Sequence, residues 1–596
     1  MKFYHASNEI ENRFRLTGAL SLKKLLEFLP AAILTHLSTF LLLSIDGLTV
    51  GNFVGEDALS SVSLFYPVMV VVGSFSVLAA SGISTALSLG MGENNRDALR
   101  RTKATSLYYM IISAIIVAVI QIPITFGLIN HYELTNELRD MVVKYAIGIM
   151  IATPFGFIST VGVYQLTVMG RMKTLVWLTA LEGGVNVALD ILFVGLLKWG
   201  VDGAGYATMV ANIIRCTVTV IYLFKSTDIY RSEGAKPGLD ELKETVWLGF
   251  PEFAQSALLG VTGYLMVDIV VDAFGPDGGV IRGVCIFCLS LISVFINGIL
   301  SSLRPLVGLM SGAKDTEGLR LVVWQSFVLL FIIISAFDAV IIFNPELFYR
   351  LHGVDDFPSG GNLSLRIYSL YLLLEAFTSV FRLYFTNRKD TRFATTLSIA
   401  GNLALPVIAT TLSKIAIPPL IWLAYPIKEL IVLVVSIIRY RVWRRRDLKV
   451  DNDRESIFYL SIKPEEAVEA SRMIRAYADD HGYPERLSYR VSLCMEEMVA
   501  YCASVRKKSE VLTQNVIRLT DTEAVFAIID NGRCTALDND RTEHQIVTDN
   551  YELIKRMASS VDYQYMLNMN YTVVRFKIPE GASSRRTVSL QDCRGA

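Results

Sequence analysis

The chain has 596 residues with a mean hydropathy of +0.44; 52% of them are hydrophobic and 19% charged, against about 25% charged in an ordinary soluble domain. These figures exclude a disordered chain, a collagen and a disulfide-stapled secreted scaffold. Lys+Arg and Asp+Glu both number 56, so no excess of charge points to nucleic acid, although residues 1–450 are slightly basic and residues 451–596 slightly acidic.

The first 24 residues, with Asn8, Glu9, Glu11, Arg13 and Arg15, are polar and read as a cytoplasmic N-terminus with no cleavable signal. Hydrophobic runs of spanning length then recur near 25–50, 60–90, 105–127, 140–165, 174–197 and 203–224. After a polar loop at 225–245 they resume near 246–273, 282–310, 320–343, 363–386, 393–413 and 416–439. Each covers ~30 Å of hydrocarbon at about 1.5 Å per residue, so twelve transmembrane helices are expected. Cys285 and Cys288, the one close pair of cysteines, sit inside such a run and read as packing residues.

Alternate loops are basic: Arg96, Arg100, Arg101 and Lys103; Arg171 and Lys173; Lys225, Arg231, Lys236 and Lys243; Lys314 and Arg320; Arg388, Lys389 and Arg392. The intervening loops are poor in Lys and Arg, which places both chain ends in the cytoplasm of a bacterial inner membrane. Arg439, Arg441, Arg444, Arg445 and Arg446 anchor the last span.

The two halves repeat. GMGENNRDALRRTKATS (90–106) is echoed 220 residues later by LMSGAKDTEGLRLVVWQS (309–326), which aligns Gly92 with Gly312. Pro30 matches Pro251 in the same way. Doubling of six helices in one orientation is a transporter architecture with cargo handled between two lobes.

Charged residues inside spans mark ion or substrate routes. Glu182, Asn186 and Asp190 recur at a spacing of four, one turn apart on the fifth span, and Asp46 and Thr208 lie at the depth of Asp190. Asp46, Asn186, Asp190 and Thr208 therefore form a candidate site for Na⁺ or for a coupling proton; a hydrogen-bonded packing network is the plain alternative. Asp268, Glu375 and Arg382 make a second candidate polar site in the carboxy lobe, the last two fit for an internal ion pair or a substrate contact. Arg215, Arg304 and Asp338 are further charges within spans.

FLPAAILTHLSTFLLLSIDGLTVGNFVGEDALSSVSLFYPV (28–68), GRMKTLVWLTALEGGVNVALDILFV (170–194) and VDGAGYATMVANI (201–213) resemble the multidrug and toxic compound extrusion (MATE) family. The resemblance covers about residues 20–440. It implies an all-α polytopic fold of two six-helix lobes, 25–224 and 246–439, and a cation- or proton-coupled antiporter needing no further cofactor. It also implies that Asp46, Asn186, Asp190 and Thr208 are the coupling site and that Pro30 is a helix-bending residue. Pro406 stands at the repeat position of Asp190, so the carboxy lobe departs from the amino-lobe pattern. The wider superfamily includes lipid-linked precursor flippases, which keeps that cargo class open.

A charged linker (440–455) leads to a soluble α/β pattern from 456 to about 580, followed by a polar tail at 581–596. IFYLSIK alternates like a strand, 464–482 and 487–505 are amphipathic helices, and NVIRLTD, AVFAIID and YTVVRFKI are strands. This order resembles the GHKL-type ATP-binding fold of anti-sigma-factor serine kinases. Glu497 matches that family's basic Glu and Asp530 and Gly532 its Asp-x-Gly, with Asn531 between them. Tyr501 replaces the Mg²⁺-binding Asn, however, and Cys534 the second Gly. The phosphate loop at 548–557 has no glycine between Asp549 and Glu552. Backbone cannot then approach phosphate closely, so ATP binding is doubtful and a regulatory, inactive domain is expected. The whole reads as an exporter of small amphipathic or cationic molecules, with a flippase and a membrane sensor whose tail holds a protein partner as rivals.

Overall fold

The computed structural model describes residues 19–578 apart from 132–133, 228–233, 352–353, 355–356, 416, 454–455, 463, 481–482, 505–510, 521–522 and 533–551. Two compact units emerge. One comprises 25–312 and 323–438; the other gathers residues up to 24, residues 313–322 and residues 439–596.

The larger unit is helical. Its amino lobe holds α1 (Ala19–Phe53), α2 (Glu56–Glu93), α3 (Arg96–His131), α4 (Asn136–Val168), α5 (Met172–Asp190) and α6 (Val201–Ser226). Its carboxy lobe holds α7 (Leu239–Phe274), α8 (Pro276–Gly312), α9 (Thr316–Phe343), the short α10 (Pro345–Leu351), α11 (Gly361–Asn387), α12 (Thr391–Ile415) and α13 (Ala424–Asp453). Among the described residues, 11 helices are long and apolar enough to cross a membrane. Twelve spans were expected; the one expected at 25–50 falls on α1, which is not among the 11 and whose side chains at 39 and 42–48 lie outside the described residues.

The repeat extends to helix length and turn geometry. α1 and α7 have 35 and 36 residues and carry Pro30 and Pro251 after about three turns. Asn94 and Lys314, 220 residues apart, both take left-handed backbone (φ 50° and 58°) at the break between the second and third helices of their lobes. α13 runs on to Asp453, so most of the charged linker continues the last helix.

The C-terminal part forms a five-stranded antiparallel sheet from β1 (Ser456–Ile462), β2 (Thr513–Leu519), β3 (Glu523–Asp530), β4 (Ser560–Met566) and β5 (Met569–Lys577), in the order β1-β2-β3-β5-β4. Between β1 and β2 come α14 (Ala467–Asp480) and α15 (Glu485–Ser504). The register sets Ile517 opposite Phe526 and Phe526 opposite Val574. That row packs with Ile474, Val491, Met495 and Met498 of the two helices into one apolar core. β4 is a strand that the sequence reading lacked.

Candidate functional site

α5 does not end where its α-helical hydrogen bonding ends. At Asp190 it passes into a π-helical turn, Ile191–Leu196. Such turns are rare and occur mostly at functional positions, because the wider helix rotates the side chains that follow. The spacing of four puts Glu182, Asn186 and Asp190 on the inner face, and all three are buried. Asn186 Nδ2 donates to Thr208 Oγ1 on α6 at 3.2 Å, while the Thr208 carbonyl accepts from Asn212 Nδ2 at 2.9 Å. α6 comes this close to its lobe because glycine lines its contact with α4: a Cβ on Gly148 would stand 2.8 Å from Gly205 Cα.

The structure therefore brings Asn186 and Thr208 into contact, with Asp190 wholly buried one turn along the same face. Asp46 lies on α1 with its side chain outside the described residues. Glu182 has a separate role: its carboxylate pairs with Arg215 Nη1 at 2.6 Å. Asp190, Asn186 and Thr208 carry carboxylate, amide and hydroxyl oxygens, the kind of donor that hard cations take, and a carboxylate also accepts a proton.

In the carboxy lobe Glu375 accepts from Tyr371 Oη at 3.3 Å and Ser379 Oγ at 3.1 Å, with Arg382 Nη2 at 3.9 Å. The sequence reading missed the other half of this network. Lys428 and Glu429 of α13 are both buried, paired at 2.6 Å, and Thr378 Oγ1 donates to Glu429 Oε2 at 2.8 Å. The Lys428 ammonium also lies 5.3 Å from the Tyr371 ring centre. A Lys-Glu pair inside an apolar span was the available signal. Asp268, by contrast, is exposed and makes no ion pair or side-chain hydrogen bond among the described residues. Pro406 holds the place of Asp190 in the repeat, but Asn402 keeps that of Asn186 and donates to Gln255 Oε1 of α7 at 2.8 Å.

Between the lobes lies a cavity of about 40 Å³ lined by His36, Tyr164, Ser301 and Arg304 among others. His36 of α1 shares a 2.9 Å hydrogen bond with Ser301 of α8. Arg304 pairs with Glu252 at 2.8 Å and sits 5.1 Å from the Tyr164 ring centre, so its charge is balanced locally. Towards the end that carries the basic loops, Lys389 bonds Glu244 of α7 at 2.9 Å and Glu93 of α2 at 3.3 Å, and Arg101 meets Glu241 at 3.4 Å.

In the C-terminal domain the Asp530 carboxylate is used by the chain itself. It accepts from Asn570 Nδ2 at 2.7 Å, from the Gly532 amide at 2.9 Å and from Cys502 Sγ at 3.3 Å. Asn531 Oδ1 accepts the Leu512 amide at 2.8 Å. Tyr501 is buried, and burial together with Glu496 raises the Glu497 carboxyl above its usual range. Cys534 and residues 548–551 lie outside the described residues.

The profile of the MatE family matches residues 31–192 and 258–411, more than half of the chain. Multidrug export protein MepA of Staphylococcus haemolyticus is 22% identical over 63% of this chain and 83% of its own length. Probable multidrug resistance protein YoeA of Bacillus subtilis is 27% identical over 30% of this chain, which spans only 39% of that relative. An outward-facing multidrug resistance MATE family transporter of known structure superposes with a TM-score of 0.67 over 72% of this chain and 97% of that one, at 19% identity, which speaks to fold alone. With its repeated lobes and buried polar centres, the chain belongs to the MatE family, transporters rather than enzymes.

Proposed function

We propose that the protein is an ion-coupled exporter of small amphipathic or cationic compounds, with Asp46, Asn186, Asp190 and Thr208 as its coupling site and both chain ends in the cytoplasm. The observation that carries this reading is the Asn186–Thr208 hydrogen bond beside buried Asp190, at the junction of α-helix and π-helix. Binding Na⁺ or a proton there changes the charge of a buried carboxylate. The ion moves the balance between inward-open and outward-open lobes only by its differential affinity for the two.

The interlobe contacts at the basic-loop end then belong to a state closed to the cytoplasm. Arg304 in the small interlobe cavity is already matched by Glu252, so that cavity offers no spare positive charge to the polyanionic headgroup of a lipid-linked precursor. The tail is regulatory and catalytically inactive; self-satisfaction of Asp530 supports that.

The test is efflux of a fluorescent cationic dye from proteoliposomes under imposed Na⁺ or H⁺ gradients, with wild type and Asp190→Asn. Gradient-driven efflux that is lost in the variant is expected and names the ion. Undiminished efflux by Asp190→Asn removes the coupling assignment.

A further inference from the structure

One compact unit of the chain joins three separated segments: the start of α1, residues 313–322 at the start of α9, and the C-terminal domain. Two contacts hold it together. Gln514 Nε2 of β2 donates to Asp315 Oδ2, while Asp315 Oδ1 accepts the Gly318 amide at 2.7 Å and so caps the first turn of α9. At the β4–β5 turn, where Leu567 and Asn568 both have φ of 55°, the Asn568 carbonyl accepts Lys24 Nζ at 3.0 Å. Neither contact is a loose surface touch: Lys24 and Asp315 are each 1% exposed. The sheet face opposite the helical core, which carries Val516, Ala527, Ile529, Tyr571 and Val573, is buried as well.

Lys24 is the root of the first helix of the amino lobe, and Asp315 the root of the third helix of the carboxy lobe. We infer that the C-terminal domain is a clamp: it grips one helix root in each lobe and slows the rocking of the lobes until it lets go. This rests on the alternating-access reading above and names the regulation of that machine. Rocking moves the lobes relative to one another, whereas a single rigid sheet bound to a root in each opposes that movement. The partner of the domain is thus the pair of helix roots, at Lys24 and Asp315, of its own chain.

The chemistry of Asp315 gives the clamp a direction with pH. Burial raises its carboxyl from 3.8 to about 6, against the lowering by the Gly318 amide and Gln514. Glu317 on its own turn adds to the rise; Tyr571 of β5 and Arg518 of β2 are the other titratable or charged groups around it, with Arg575 beyond Tyr571. A carboxyl whose affinity for the proton is higher in the gripped state adds stability to that state below about pH 4. The contribution is lost as pH rises through about 6. Acidification of that side therefore tightens the clamp.

The experiment uses the full chain in nanodiscs with two readouts that need no cargo. Hydrogen exchange of 313–322 reports the grip. Maleimide labelling of Ser88→Cys, in a chain with Cys534 and Cys593 changed to Ser, reports opening between the lobes, since Ser88 is 1% exposed and packs on Gly308. Gly318→Ala forces a methyl against Gln514, and Lys24→Met removes the other contact. Each should speed exchange of 313–322 about fivefold or more, as loss of ~1 kcal/mol implies, and speed labelling with it. Asp315→Asn, with the Gln514 amide turned over to accept, should slow both at pH 7.5 and remove the part of their pH dependence between 5 and 8 that exceeds the intrinsic dependence of amide exchange and thiol labelling in an unstructured peptide. Exchange unchanged in both loosening variants overturns the grip. Faster exchange with unchanged labelling overturns the restraint. Absence of dye efflux in every variant would count against the exporter reading alone, because neither readout involves transport.

Discussion

Gly92 and Gly312, set in register by the internal repeat, meet across the lobe interface: a Cβ on Gly312 would stand 2.9 Å from Gly92 Cα and 2.9 Å from the Glu93 nitrogen. A real Cβ does not approach that closely, so this end of the bundle closes because position 312 lacks one. Gly249 plays the same part against Gly82, whose nitrogen would be 3.0 Å from a Cβ there. Gly312→Val should hold the lobes apart. Zero-length carbodiimide linking of Lys389 to Glu93, its partner across the lobe interface at 3.3 Å, read by mass spectrometry, should fall about fivefold or more in that variant, the factor for ~1 kcal/mol. An unchanged yield would show that the contact tolerates the side chain.

Lys389 is the electrostatic counterpart of those glycines. Burial lowers its ammonium, but the hydrogen bond to Glu244 and the charges of Glu93 and Glu244 outweigh this and leave it above an ordinary lysine. The group is half exposed, so its pairs are worth only about 0.2–1 kcal/mol and are screened by salt. Lys389→Ala should speed labelling of Ser88→Cys up to about fivefold at low ionic strength. The difference from wild type should vanish near 1 M salt, where the Debye length is ~3 Å. A difference that persists at high salt would mean the residue acts by packing.

At the coupling site, Thr208→Val keeps the shape and removes the acceptor for Asn186. A neutral hydrogen bond contributes about 0.5–1.5 kcal/mol, so the concentration of the coupling ion giving half-maximal dye efflux should rise about two- to tenfold. Asn186→Ala should produce a rise at least as large, since it also removes an oxygen of the site, and the double variant less than the product of the two, because the shared hydrogen bond is lost only once. Full additivity would place Asn186 and Thr208 in independent roles.

What was readable in the sequence follows from how each signal is encoded. Span lengths and the repeat are local patterns; the structure adds that the repeated loops turn alike, through left-handed Asn94 and Lys314. The Asn186–Thr208 contact was legible because a spacing of four and a shared depth leave few other partners. The Glu182–Arg215 pair was not, since nothing local says which of several intramembrane charges a carboxylate will meet. The π-helical turn after Asp190 is written in ILFVGL, an apolar run with no mark of wider hydrogen bonding. Asp268 is exposed on α7, apart from the Glu375–Arg382 network, a matter of helix phase that depth alone does not give. In the tail, β2, β3 and β5 are short local runs rich in apolar residues, whereas the grip on Asp315 and Lys24 joins segments 199 and 544 residues apart.

Lys428 and Glu429 show how the 3₁₀ turn Pro418–Leu423 sets the phase of the last helix: two adjacent charges that would ordinarily reach the interface are turned inward, where each is 3% exposed or less. The pair is satisfied at both ends, by Thr378 on the carboxylate and by the Tyr371 ring on the ammonium. Taking ions out of water costs several kcal/mol each, so the pair as a whole adds little stability, but either member alone is costly. Lys428→Met should therefore destabilise the detergent-solubilised protein by about 3–5 kcal/mol, seen as a large fall in the thermal midpoint. Lys428→Met with Glu429→Gln should restore most of it, because the neutral amide can still accept from Thr378. Rescue by the second change identifies an uncompensated charge as the cause of the loss. A double variant no better than the single one would mean that Lys428 acts through its contact with Tyr371 instead.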